Sequence, residues 1–235
     1  QPSHDPGDSE LADDLAELPW HDGYAPELPL WMNTSEGLAW MSTEAVAELA
    51  EALRTQLTDS GVRLVGLLCR AVFPREFNQL VESANKAEVL SKITLALVAE
   101  ALQLVPPGNV QIVCDKHGGR NFYQVVLQTQ FPDDWVHVRC ESSEESRYEL
   151  TNVGRQIEIG FYVSGERFLP VALASMTAKY LRETAMRPFN EFWCSRVPGL
   201  KPTAGYPSDA VRFKKAIVAV QQELAIDDSL IWRSR

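Results

Sequence analysis

Residues 110–121 read VQIVCDKHGGRN: a short apolar run that closes on an acid, Asp115, and opens into a loop holding Gly118 and Gly119. A run of this length, stopped by a glycine-rich loop, reads as a buried strand. In open α/β sheets, ligands gather beyond the carboxyl ends of the strands, so an acid in that place is a candidate for chemistry. An Asp that merely initiates a turn would look the same in sequence.

Outward from this strand the chain alternates in kind. WVHVRCES (135–142), SRYELTN (146–152) and QIEIGFYVSG (156–165) read as strands, and the last sets Ile157, Ile159 and Phe161 on one face. FYQVVLQTQ (122–130) reads as a short helix. VRLVGLLCRAV (62–72) is apolar on both alternating faces, which predicts a buried strand. Helices are expected over 42–61, with Ser42 opening a capping box and Gly61 stopping it, and over 74–104, ended by VPPGN. Two more are expected over 171–194, with Pro188 a potential kink, and over 210–224. Strands mixed with helices define an α/β class with a mixed sheet. Residues 1–18 read as an acidic flexible arm. Residues 19–235 read as one domain, beginning with an irregular stretch to Trp40 organised by its aromatics.

The net charge of −10 argues against nucleic acid until it is divided along the chain. Residues 1–110 hold 17 acidic and 6 basic residues, whereas residues 111–235 hold 15 and 16. The second half is therefore near neutral and has cations to spare for a local phosphate-binding patch. The longest apolar stretches are too short to span a bilayer, and with no basic run followed by an apolar run at the start, no secretory signal is expected. Four cysteines stand far apart with no CxxC pair, which suits free thiols in a reducing compartment and predicts a cytoplasmic protein. The four histidines lack zinc-ligand spacing.

Three further features join Asp115. Glu166 follows VSG at the end of another apolar strand; two carboxylates at strand ends can share a hard divalent cation, although a lone Glu in a turn is the simpler reading. In ALASMTAKYLRE (172–183) the small residues allow close approach, while Ser175 and Lys179, then Lys179 and Arg182, fall on successive turns. That combination suits phosphate, or plain small-residue packing with exposed cations. In KPTAGYPSD (201–209), Gly205 turns the loop so that Tyr206 is presented beside Lys201 for stacking, unless the ring anchors the loop to a core.

In this order the pieces resemble the ribonuclease HII (type 2 ribonuclease H) family. The resemblance runs from about Ser42 to Ile217 and rests on VQIVCD, SGERFLP, ALASMTAKYLRE and TAGYPSD. It implies a ribonuclease H-like mixed sheet flanked by helices. It also implies a metal-dependent endonuclease, a phosphodiester hydrolase that cuts the RNA strand of RNA–DNA hybrids or beside ribonucleotides embedded in duplex DNA. By that resemblance Asp115 and Glu166 hold Mg²⁺ or Mn²⁺, Glu166 standing where the family usually has Asp. Ser175, Lys179, Arg182 and Lys201 then face nucleic acid, and Tyr206 lies against the sugar at the ribonucleotide junction.

The family's opening strand, with its Asp-Glu-x-Gly-Arg-Gly run and two further carboxylates, does not occur in these residues, nor does its DSK segment. The chain also begins with Gln and opens acidic. The missing strand is therefore expected on a separate amino-terminal fragment or subunit. Residues 121–161 are expected to form a strand-rich insertion. The alternative expectation is a catalytically degenerate module that binds nucleic acid or serves as a structural subunit.

Overall fold

In the computed structural model of the protein, residues 43–152 and 155–234 are described. The acidic arm, the aromatic stretch to Trp40 and the Ser42 cap lie outside the described residues. The rest fall into two compact units. One comprises 63–72 and 76–178; the other comprises 43–62, 73–75 and 179–234.

The first unit holds the sheet. Strands β1 (Asn109–Asp115), β2 (Trp135–Glu141), β3 (Glu145–Asn152) and β4 (Arg155–Tyr162) lie in the order β1-β4-β3-β2. β1 runs parallel to β4, while the β3–β4 and β2–β3 pairs are antiparallel. This is a mixed α/β architecture, as the alternating segments predict. Register explains the core. Val136, Leu150, Ile157 and Val110 form one rung across the sheet, and Val138, Tyr148, Ile159 and Ile112 another.

The face carrying Ile157, Ile159 and Phe161 packs with Leu95 and Leu102 of helix α3 (Lys86–Leu104) and Leu127 of helix α4 (Gln124–Gln130). Tyr123, just before α4, stacks on Phe161 with ring centroids 3.7 Å apart and planes 5° from parallel. The opposite face carries Gln156, Glu158 and Tyr162 from β4 and Glu149 from β3, polar groups that suit water.

The second unit is helical. Helix α5 (Leu169–Arg196) begins in the first unit and ends in the second, where it is followed by α6 (Pro207–Glu223) and a short α7 (Asp228–Ile231). Trp193, Phe213, Ile217, Leu230 and Ile231 form its buried cluster. Pro188 lies inside α5. Helix α1 (Thr43–Asp59) belongs to this unit as well.

Two expectations are corrected. Residues 62–72 form no strand; the segment has no regular structure, and Val62, Leu64, Val65, Leu67 and Leu68 are all exposed. Its apolar pattern fits a central strand, but none of the described residues offers a ladder for it. The single helix expected over 74–104 is two, α2 (Pro74–Ser83) and α3. Asn85 breaks it by taking an extended conformation and capping α3, its side chain accepting the Glu88 amide at 3.0 Å. The stretch 121–161 holds α4, β2, β3 and most of β4.

Candidate functional site at the carboxyl ends of β1 and β4

The parallel register sets Asp115 opposite Tyr162, so both strands finish at the same end of the sheet. The Lys116 amide then donates to the Tyr162 carbonyl at 3.0 Å, extending the pairing one residue past the acid. After β4 the chain turns sharply through Ser164, a non-glycine residue held in the left-handed region at φ 55°. Gly165 follows, buried, and its amide donates to Asp115 Oδ1 at 3.0 Å. A β-carbon at 165 would meet that oxygen at 3.1 Å and the Asp115 α-carbon at 3.3 Å, so glycine is what lets the two segments touch.

Glu166 is the next residue, in a single 3₁₀ turn (Gly165–Arg167). From α5, nine residues further on, Ser175 donates to Glu166 Oε1 at 3.0 Å. Asp115, Glu166 and Ser175 are thus linked through one turn of backbone, and both acids are exposed.

The loop after Asp115 is fixed from below by groups that sequence reading passed over. His117 is buried and makes edge contacts with both rings of the Tyr123–Phe161 stack. Its Nδ1 lies 2.9 Å from Ser91 Oγ, and the Ser91 hydroxyl donates to the Ala87 carbonyl at 2.7 Å. The only hydroxyl proton is spent on Ala87, so the ring donates through Nδ1–H and is neutral at Nε2. The His117 amide donates to Tyr123 Oη at 3.0 Å, the Tyr123 amide to Tyr148 Oη at 2.8 Å, and Tyr148 in turn to Glu141. Above this chain, Lys116 Nζ bonds Asn121 Oδ1 at 2.7 Å and the Ser142 carbonyl at 2.6 Å. The KHGG run after an acid was the available signal; which partners it would find was not encoded locally.

Electrostatics narrow the chemistry. Burial pushes the Cys114 thiol up to about 12, with the Asp115 charge adding to the effect, so it is a neutral apolar filler and no nucleophile. The donor set beside it is hard oxygen. Asp115 uses Oδ1 and Glu166 uses Oε1 for the hydrogen bonds above, leaving one carboxylate oxygen on each for another ligand. That suits Mg²⁺ or Mn²⁺, which take one or two carboxylates and complete their shell with waters and substrate phosphate. Among the described residues no three Asp, Glu, His or Cys side chains converge, so a cation here would draw its other ligands from elsewhere.

The remaining candidates belong to the helical unit. The guanidinium of Arg182 lies over the Tyr206 ring at 4.3 Å from its centroid, and its Nε is buried with no hydrogen-bond partner among the described residues. Gly205 takes φ 75°, and its amide donates to Thr203 Oγ1 at 3.1 Å, holding the turn that presents Tyr206. Tyr206 stays 48% exposed. Lys201 is exposed, and its carbonyl accepts from Arg212 at 3.1 Å; the cation over the tyrosine is Arg182. Lys179 reaches Glu183 at 4.0 Å, an exposed pair of small energetic worth.

No family model, no curated protein and no solved structure matches the chain. Among the described residues no helix is long and apolar enough to cross a membrane.

The buried imidazole provides a test of the loop. Burial foremost, with Arg120, lowers His117 from the ordinary 6.5 to about 4, against a smaller opposing effect of Asp115. Because its native value is depressed, the neutral ring's contribution to stability is complete above pH 6.5 and is lost as pH falls towards 4. Thermal midpoints measured across that window should fall steeply for the wild type and less steeply for His117→Gln. Parallel curves would remove His117 from this role.

Proposed function

We propose that the chain carries part of the active site of a metal-dependent endoribonuclease of ribonuclease HII type. Its substrates are the RNA strand of RNA–DNA hybrids or the phosphodiester beside a ribonucleotide embedded in duplex DNA. The observation that carries this reading is the Gly165 amide on Asp115, which brings the carboxylates of residues 115 and 166 to one end of a parallel strand pair. In a ribonuclease H-like sheet, that is where Asp115 and Glu166 hold Mg²⁺ or Mn²⁺. A divalent ion bound there supplies Lewis-acid polarisation of a phosphate oxygen.

The chain's own residues do the positioning. Ser175 fixes one oxygen of Glu166 and Gly165 fixes one oxygen of Asp115; by the resemblance, Arg182, Lys179 and Lys201 of the helical unit are cations for the nucleic-acid backbone. Tyr206, with Arg182 on its face, offers a flat surface for sugar or base. The further carboxylates come from a separate amino-terminal fragment or subunit, on the strand that the resemblance implies. Two features leave room for such a strand: β1 lies at the edge of the sheet, and residues 62–72 have no ladder among the described residues. The unpaired cysteines, Cys69, Cys114, Cys140 and Cys194, favour a reducing compartment such as the cytoplasm.

A second reading has one observation in its favour. With no third ligating side chain converging among the described residues, the chain would be a degenerate module that grips nucleic acid without cutting.

Incision separates the two. The full protein, given Mn²⁺ and a duplex bearing one ribonucleotide, is expected to nick it, and Asp115→Asn is expected to slow nicking by more than about 100-fold, beyond the loss of an outer-shell partner. Full activity in that variant would overturn the metal assignment, and binding without nicking by the wild type would establish the degenerate module. For Arg182→Ala the expected result is weaker duplex binding, with the log–log salt slope shallower by about 0.9. An unchanged slope would make Arg182 a packing residue.

A further inference from the structure

Beside the two carboxylates, the same unit builds a second surface that the reading above does not use. Tyr162, the last residue of β4, folds back across Gly160 on the sheet's polar face. A β-carbon at 160 would lie 2.4 Å from the ring, so only glycine leaves space for it there. Phe168 tilts against Tyr162 with centroids 4.8 Å apart. Arg167 covers both, its guanidinium carbon 5.6 Å from the Tyr162 ring and 5.0 Å from the Phe168 ring.

Arg167 makes no ion pair or side-chain hydrogen bond among the described residues, whereas nearby Arg147 is taken up by Glu145 at 3.1 Å. The guanidinium is therefore a cation held on two aromatic faces with its donors unspent. Both rings are half-buried, and Arg167 is exposed. The rim is apolar and open: Val163 is 49% exposed and Leu169 70%. Such apolar groups at the end of a strand, interleaved with a free guanidinium, fit a ligand that is flat on one side and anionic on the other.

We infer that Tyr162, Arg167 and Phe168 form a stacking site for one unpaired nucleotide, its base laid on the outer face of the Arg167 guanidinium that the two rings back, and its phosphate on the edge donors of that group. Glu166 sits between Arg167 and Gly165 in sequence, so the stacked nucleotide neighbours the carboxylate pair. The inference rests on the nucleic-acid reading of that pair and adds to it a substrate feature: a base turned out of the duplex, or an unpaired end, next to the position attacked. Stacking on a planar guanidinium backed by rings tolerates any base, so the site selects for an unstacked nucleotide and not for sequence.

Binding without cleavage tests it. The full protein in EDTA is titrated into a fluorescein-labelled hexauridylate and into an abasic hexamer with the same phosphates, and anisotropy is read. The hexauridylate is expected to bind about tenfold more tightly, the worth of one stacked base. Phe168→Leu keeps the apolar volume but removes the ring face, and is expected to bring that ratio close to one. Arg167→Gln is expected to weaken both probes and to bring the ratio close to one as well. Melting curves identify any misfolded variant, and Gly160→Ala, which displaces the Tyr162 ring, gives a second route to the same loss. Equal binding of the two probes by the wild type, or a ratio unchanged in Phe168→Leu, would overturn the inference. The outcomes are separable from the nuclease reading, since base discrimination can persist in a protein that never nicks, and nicking can proceed with none.

Discussion

One hydrogen bond organises the site: the Gly165 amide on the Asp115 carboxylate. It exists because β1 and β4 run parallel and end in register, and because residue 165 has no side chain to keep the segments apart. From it follow the turn at Ser164, the placement of Glu166, and the entry of α5 that brings Ser175 to that glutamate. A carboxylate accepting a backbone amide is also oriented, with one oxygen committed and the other presented. The buried chain through Ser91, His117, Tyr123 and Tyr148 serves the same end, since it anchors the loop that leaves Asp115 to the core beneath the sheet.

The sheet was legible in sequence to the extent that its periodicity was local. Alternation in QIEIGFY placed Ile157, Ile159 and Phe161 on one buried face, and the acid after VQIVC placed Asp115 at a strand end. Residues 62–72 misled for a physical reason: an apolar pattern reports the wish to be buried, and a strand forms only where a ladder partner stands beside it. The 74–104 helix misled differently. Asn85 inside a helical pattern was outweighed by its neighbours, although its short polar side chain caps better than it propagates.

Contacts between side chains were the least legible. Ser175 with Lys179 is an ordinary one-turn spacing, yet Ser175 turns to Glu166 and Lys179 lies near Glu183. Tyr206 was matched with Lys201 by proximity in sequence, whereas the helix α5 guanidinium of Arg182 takes the ring. A planar, weakly hydrated cation stacks on an aromatic face more readily than an ammonium does, and that preference outlasts the 23 residues between them. The arrangement past β4 repeats the chemistry, with Arg167 over Tyr162 and Phe168. The net charge of −10 therefore says little about the charge at these two places, because Arg167 and Arg182 are held on rings and not on acids.

The central claim is that Asp115 and Glu166 share a hard divalent cation, and Mn²⁺ binding to the full protein, followed by the loss of the free-ion signal in electron paramagnetic resonance, tests it most directly. Saturable binding by the wild type that weakens in both Asp115→Asn and Glu166→Gln, each still folded, is the result expected. Binding that is absent from the wild type, or equal in all three proteins, would contradict it.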